Sequence, residues 1–330
     1  MNNPLVLCLG EILEDLLAEQ SDRPLDRVTS WKAYTGGAPA NVACASVKLG
    51  TPSAFIGRVG RDPVGDRSLK LLNRLGVNIS AVQHDPIAPT RQVYVTRSSG
   101  GERHFAGFGA LATTDFADTN LNAGDIPTSL FENARFLVTG TLGLAYPNSR
   151  GAIERAVSLA REHGVKIFLD INWRPVFWEN PDSAPSIVRE ILQKADLVKC
   201  SDEEAEWLFG TDDPAEISRQ FPNLRGILVT AGERGCRYRL GENGGTAAAF
   251  RVTTVDTTGA GDGFSAGFLH RCCQFGEEVF HSADIARKAV IYASAVGALV
   301  TIGPGAIDPQ PSDRQVREFL RERGESIGKF

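Results

Sequence analysis

The 330-residue chain lacks several things that would narrow its class at once. It has no CxxC spacing, and its six cysteines (Cys8, Cys44, Cys200, Cys236, Cys272 and Cys273) are too sparse for a disulfide framework. Cys272 and Cys273 are neighbours and badly placed to bond each other, so the expectation is reduced, mostly buried thiols in a cytoplasmic protein. An excess of positive charge is missing too. With 35 basic and 40 acidic side chains the formal charge is −5, which leaves no overall basic field to gather nucleic acid or a membrane surface and makes a small molecule the default partner. The opening MNNPLVLCLGEILEDLL has no basic n-region and is interrupted by Glu11, Glu14 and Asp15, so it reads as mature structure, not as a signal peptide. The one long uncharged run, Ala289 to Ile307, is broken by Ser294, Thr301 and Gly303-Pro304-Gly305 and predicts a buried helix running into a loop. No GxxxxGK[ST] occurs: the nearest spacing, Gly60 to Gly65, continues with Asp66, which excludes a Walker A loop there. There is no internal repeat and no long linker.

What is present is an alternation. Leu5–Leu9, Ala54–Ile56, Phe136–Val138, Lys166–Leu169, Leu197–Val198 and Gly226–Thr230 read as buried strands between helix-period segments, the pattern of an α/β doubly wound, mostly parallel sheet flanked by helices. A helix is predicted over Ser149–His163, with Ile153, Ala156, Val157 and Ala160 on one face, Asn148 or Ser149 as cap and Gly164 as stop. Another starts at a Ser312/Gln315 capping box, with Val316, Phe319 and Leu320 as its apolar seam and Gly324 as its end. Thr90–Phe108 instead alternates with period two around Ser99-Gly100-Gly101-Glu102 and predicts a β-hairpin. Segment 11–34 is poorly helical and could pair with it, giving a small antiparallel β lid from about 11–34 and 88–112.

The stretch TTGAGDGFSAG (257–267) raises the chemical question. It ends an extended run, turns through Gly259-Ala260-Gly261 and continues with Phe264, Phe268 and Cys272 at helical spacing. Small residues at a helix start let a ligand approach the unpaired first-turn amides, where the dipole attracts an anion. Asp262 at its rim can take a proton from a hydroxyl while those amides hold a phosphate. The bland alternative is close packing of a helix on the sheet, with Asp262 as a cap. A GxGxxA match at Gly107 to Ala112 suits a dinucleotide site poorly because it follows the hairpin and not a first strand.

DTTGAGDGFSAGF, TGGAPANVACASVKLG (35–50), FIGRVGRDPVGD (55–66), DINWRPVFW (170–178) and LVTAGERGC (228–236) together, in this order, resemble the ribokinase-like, phosphofructokinase-B type carbohydrate kinases over essentially the whole chain. The resemblance implies a single domain over 1–330, ATP and Mg2+ as cofactors, with K+ as an optional third, and a carbohydrate hydroxyl as acceptor. It implies Asp262 as catalytic base and Gly259, Ala260 and Gly261 as anion hole. Gly36, Gly37, Asn41 and Asp15 match the sugar-contacting residues, and Asn172 and Arg174 match loop residues near substrate or phosphate. Thr230, Gly232 and Ser294 match nucleotide contacts, Ser201 and Glu204 an NxxE-like element with Glu204 near magnesium through water, and Asp256 and Thr258 a monovalent-cation site. Ser201 and Ser294 stand where relatives usually carry asparagine, and the second hairpin arm, Phe105-AGF-GALATTD, lacks an arginine that fructokinase-like chains tend to have. GEILEDLL, TGGAPANVA and DINWRPVFW look most similar to fructokinases; ribose, 2-keto-3-deoxygluconate and nucleosides stay open as acceptors, as do a non-catalytic sensor and a homodimer through the lid.

Overall fold

The computed structural model describes residues 3–98 and 103–325. In chain order its strands are β1 (Val6–Leu9), β2 (Leu13–Ala18), β3 (Trp31–Gly36), β4 (Ser53–Gly60), β5 (Asn78–Asp85), β6 (Gln92–Arg97) and β7 (Arg103–Gly107). Then follow β8 (Phe136–Thr139), β9 (Lys166–Asp170), β10 (Leu197–Ser201), β11 (Gly226–Thr230), β12 (Cys236–Leu240) and β13 (Asn243–Ala247). The helices are α1 (Ala38–Lys48), α2 (Pro63–Leu75), α3 (Pro147–Glu162), α4 (Ala184–Leu192) and α5 (Asp202–Phe209). They continue with α6 (Pro214–Gln220), α7 (Ala260–Phe275), α8 (Glu278–His281), α9 (Ala283–Val300) and α10 (Asp313–Glu322).

Among the described residues nine strands form one sheet in the order β13-β12-β11-β10-β9-β8-β1-β4-β5. It is parallel from β11 to β5, and β12 and β13 close one end as antiparallel neighbours. Central strands such as VLCL and FLVT are buried at every position, as a parallel sheet covered on both faces requires. On one face Val42, Phe264, Phe268 and Ile291 bring α1, α7 and α9 onto Phe168 and Leu197. On the other, Ile153, Val188, Ala205 and Ile217 bring α3 to α6 onto Ile167 and Val198. Strand order runs outward in both directions from the β1/β8 pair, which places a crevice at their carboxyl ends.

A second, four-stranded sheet has the order β3-β2-β6-β7. It consists of two antiparallel pairs, β2–β3 from segment 11–34 and β6–β7 from the predicted hairpin, joined through a parallel β2–β6 pairing. The predicted turn Ser99–Glu102 lies outside the described residues. Arg91, fully buried before β6, fixes this sheet's foot: it donates to both carboxylate oxygens of Asp118 and lies against the rings of Phe116 and Phe177.

Two local expectations need comment. α3 begins earlier than predicted: Tyr146 is its N-cap and Pro147, whose fixed φ suits a first helical position, starts it. Asn148 and Ser149 therefore lie inside the helix, and the Ser149 hydroxyl donates instead to the Asp118 carbonyl. The uncharged run from Ala289 belongs to α9, which starts at Ala283 and ends at Val300, and no helix of the described residues is long and apolar enough to cross a membrane. The Ser312/Gln315 capping box is present as read.

Candidate active site

The start of α7 lies at the crevice. Its N-cap is Gly259, with φ +78°, and a Cβ there would stand 2.6 Å from that of Ala306, so backbone conformation and space both require glycine. The Ala260 amide is already donated to the Thr257 carbonyl at 3.2 Å. In this first turn the open donors are the amides of Gly261 and Asp262, one position further along than the sequence suggested. The close-packing reading of TTGAGDGFSAG holds for two of its glycines. Gly263 and Gly267 are packing residues, since a Cβ on either would meet Val300 or Val296 of α9 within 3 Å.

Asp262, partly buried in this first turn, accepts a hydrogen bond from the Asn41 amide at 2.8 Å. Desolvation lifts its pKa to about 6 and the Asp170 charge adds to the rise, while the Asn41 hydrogen bond and the Lys199 and Arg174 charges pull it down. Asn41 itself is buried in the first turn of α1, and its side-chain oxygen has no protein partner, an acceptor facing no donor.

α1 starts at Gly37, with φ +102°, where a Cβ would press on the Glu11 carbonyl at 2.6 Å. Its Ala38 amide donates to the Glu11 carboxyl at 2.9 Å. Burial, with smaller contributions from Asp118 and Asp262, pushes Glu11 up to about 8, so at neutral pH it is mostly protonated. In the sequence Glu11 was only a break in an apolar run. Asp15 on β2 lies beside Gly36, whose missing Cβ would be 3.0 Å from an Asp15 carboxylate oxygen. Asp15, Gly36, Gly37 and Asn41 thus come from β2, the end of β3 and the start of α1, between the small sheet and Asp262.

Beneath α7 lies a group that the sequence reading missed. Lys199 and Asp170 are register partners on β10 and β9, with Lys199 Nζ 3.0 Å from Asp170 Oδ1, and the Ser265 hydroxyl of α7 donates to Asp170 Oδ2 at 2.9 Å. Lys199 is 7 % exposed and Asp170 3 %. Burial alone would lower the lysine pKa, but the adjacent Asp170 carboxylate reverses this and holds it above the ordinary value. A Cβ on Gly261 would stand 2.8 Å from Lys199 Nζ, so this glycine makes room for an ammonium.

The loop after β9 carries Asn172 at φ +36°, a conformation side chains rarely adopt. The next residue holds it: the Trp173 amide donates to Glu204 at 2.6 Å, and its ring stacks on Trp207 at 4.3 Å. Arg174 is exposed, donates to the Trp173 carbonyl, and its charge reaches Asp262. Ser201 and Glu204 form the capping box of α5, the second Glu204 oxygen accepting from the Ser201 amide. With each carboxylate oxygen already accepting a backbone amide, Glu204 suits a metal layer reached through water, and no cluster of three or more His, Cys, Asp or Glu that could hold a metal occurs among the described residues. Asp256 is likewise engaged, accepting from Thr258 through one oxygen and from the Gly305 amide through the other, and so ties the loop before α7 to the one after α9.

Gly261 also lines a cavity of about 1110 Å³. Thr230, Gly232 and Ser294 line it together with Ala260, Phe250 and Phe264. The Ser294 hydroxyl is donated to the Val290 carbonyl and the Thr230 hydroxyl to that of Cys200. The cavity thus borders the open amides of the α7 start and carries both polar and apolar lining.

The family model of the pfkB family carbohydrate kinases matches residues 3–313. The probable fructokinase-2 of Arabidopsis thaliana is 34 % identical, covering 97 % of this chain and 97 % of its own, and the fructokinase-2 of Zea mays is 34 % identical over 96 % and 94 %. The crystal structure of fructokinase with bound ATP from Xylella fastidiosa superposes with a TM-score of 0.87 at 28 % identity, covering 97 % of this chain and 99 % of that one. The fructokinase of Vibrio cholerae O395 in its fructose-, ADP- and calcium-bound form gives 0.83 at 29 % identity, covering 96 % and 99 %.

Proposed function

The chain belongs to the pfkB family of carbohydrate kinases, and from that premise we propose that it is a fructokinase, transferring the γ-phosphate of ATP to D-fructose to give fructose 6-phosphate. The observation that carries this reading is the pairing of Asp262, aimed by Asn41, with the open amides of Gly261 and Asp262 in one helical turn. Phosphoryl transfer through a loose transition state needs alignment and charge stabilisation more than a strong base. With a pKa of about 6, Asp262 is mostly ionised at neutral pH, orients the sugar hydroxyl and takes its proton late in the transfer. Asp15, Gly36, Gly37 and Asn41 face the sugar, with the unpaired Asn41 oxygen awaiting a hydroxyl proton. Thr230, Gly232 and Ser294 hold the nucleotide, and Asn172 and Arg174 close the side nearest the phosphates.

Magnesium, when bound with ATP, neutralises phosphate charge, and Glu204 serves it through water. A potassium ion near Asp256 and Thr258 would stiffen the loop leading into α7, an arrangement encouraged by a potassium-bound form of the Vibrio cholerae fructokinase. The small sheet acts as the lid that keeps water from competing with the sugar. Its outer strands β3 and β7 leave edges through which a second copy could pair, and sedimentation of the purified protein distinguishes dimer from monomer.

A coupled ADP assay over fructose, glucose, ribose, adenosine and 2-keto-3-deoxygluconate, with and without magnesium and potassium, tests the assignment. Fructose is expected to give the highest kcat/KM. Another acceptor well ahead of it would move the enzyme to a different sugar, and no ADP release with any acceptor would leave a sensor.

A further inference from the structure

Lys199 is the one charged residue of its parallel strand, LVKCS, directly beside Asp170 in the β9–β10 register. A buried ion pair holds a fold together no better, on average, than an apolar pair of similar volume, so cohesion is a weak reason for a cation at this position. The position is also electrostatically awkward. The first turn of a helix is the positive end of its dipole and disfavours a neighbouring cation unless an anion joins them.

The ammonium lies where a Gly261 side chain would begin, 2.8 Å from the Cβ position. Nζ therefore lies against the first turn of α7, the turn in which the Gly261 and Asp262 amides are open. Of its three N–H groups, one is given to Asp170, and among the described residues Lys199 donates to no other acceptor. Asp170 is fixed in turn by Ser265 from α7 itself, so the cation is tied to the helix whose start it flanks.

We propose that Lys199 is a catalytic residue of phosphoryl transfer, its ammonium donating to the oxygens of the transferring phosphoryl group beside the Gly261 and Asp262 amides, with Asp170 and Ser265 as its positioning residues. The proposal rests on the kinase reading above and adds to it a residue for which the amides alone do not account. Lys199 makes and breaks no covalent bond. The sugar oxygen bonds to the γ-phosphorus, the bond to the bridging oxygen of ADP breaks, the hydroxyl proton passes to Asp262, and the ammonium offsets negative charge on the phosphoryl oxygens throughout. Its burial makes the interaction strong, and its tie to Asp170 means that little reorganisation is needed at the moment of transfer.

The experiment compares Lys199→Met, Lys199→Arg and the neutral double variant Lys199→Met/Asp170→Asn with the wild type. Turnover, sugar KM, melting temperature and calorimetric affinity for magnesium-ADP with and without aluminium fluoride, a mimic of the group in flight, are measured for each. Loss of one such donor costs roughly 10²- to 10³-fold in kcat, and that loss is expected in Lys199→Met with sugar KM nearly unchanged. The extra affinity conferred by aluminium fluoride should fall at least about tenfold, by the same electrostatic argument, while affinity for ADP alone stays close to native. Lys199→Arg should recover part of the turnover. The double variant guards against misfolding from an unpaired Asp170: it is expected to melt near the wild type yet remain slow. A double variant as fast as wild type, or one with the full aluminium fluoride enhancement, would show that the pair only balances charge and overturn the proposal. A wild type that phosphorylates no sugar sinks the kinase reading, and this proposal with it; an active wild type with an equally active double variant sinks this proposal alone.

Discussion

Two helices begin at the same crevice with the same backbone device. Gly37 and Gly259 are both N-caps at positive φ, neither start has a side-chain cap, and the two first turns are joined by the Asn41–Asp262 hydrogen bond. Their occupants differ. At α1 the Ala38 amide is taken by Glu11, a carboxyl kept mostly neutral at pH 7 by burial. At α7 the Gly261 and Asp262 amides are unmatched and a permanent cation, Lys199, stands alongside. At α1 Pro39 has no N–H to offer, so with Ala38 held by a neutral acid only the Ala40 amide is left, and among the described residues no cation stands beside it. A helix start with two amides left open beside a buried ammonium is suited to receive an anion. In the proposed function the first start borders the acceptor and the second the phosphate.

The largest effect that would break this contrast is at its junction. Asp262→Asn preserves size but removes the base, and kcat should fall by roughly 10²- to 10⁴-fold while fructose and nucleotide affinities stay within a few-fold. Steady-state kinetics and calorimetry check both halves, and near-native turnover would remove Asp262 from the chemistry. In the wild type the same group should make kcat/KM rise with pH through about 6, because the ionised base accumulates above its pKa and is lost below it.

A paired substitution sharpens the comparison at the next level. Gly261→Ala places a methyl against Lys199 Nζ and should lower kcat by about tenfold or more, since small misplacements in a reacting constellation are costly, with little change in melting temperature. Gly37→Ala forces a side chain into a left-handed conformation, costing roughly 1–2 kcal/mol before any clash with the Glu11 carbonyl. Its expected signature is therefore a lower melting temperature and a raised sugar KM. If Gly37→Ala struck turnover and Gly261→Ala stability, the roles assigned to the two starts would be reversed.

The effect expected on stability, with least on turnover, comes from Glu11→Gln. Because the folded-state pKa is raised from 4.5 to about 8, the wild type gives up stability as pH climbs between those values; the unfolded chain ionises there while the folded one must stay protonated or bury a charge. A glutamine oxygen can still accept the Ala38 amide. The variant should match the wild type near pH 4 and melt increasingly higher than it toward pH 8 and above, in scanning fluorimetry across that range. A difference that shrinks as pH rises would contradict a neutral Glu11.

How far the sequence alone reached follows from which interactions are local. The buried strands, the hairpin arms and the Ser312 capping box announce themselves within a few residues, and the glycine-rich helix start does so within eleven. Asn41 and Asp262 were both named from motifs, though the bond between them spans 221 positions and could be seen only once the chain was folded. Lys199 and Asp170 meet because parallel strands place them in register, and Ser265 arrives from a third element, so no spacing along the chain encodes that group. A lysine within LVKCS was the available signal, a charge where a doubly covered strand should have none. Glycine counting likewise could not divide Gly259 and Gly261 from Gly263 and Gly267, since the division depends on what each would touch: a loop and an ammonium in the first pair, α9 in the second.

The central claim is that the open turn at the start of α7 receives the phosphoryl group while Asp262 faces the sugar. A crystal structure of the ternary complex with fructose and a non-hydrolysable ATP analogue tests it most directly. The account predicts γ-phosphate oxygens within hydrogen-bonding distance, about 3 Å, of the Gly261 and Asp262 amides, with the fructose 6-hydroxyl on the Asp262 carboxylate. A polyphosphate chain bound away from that turn, or a sugar hydroxyl out of reach of Asp262, would contradict it.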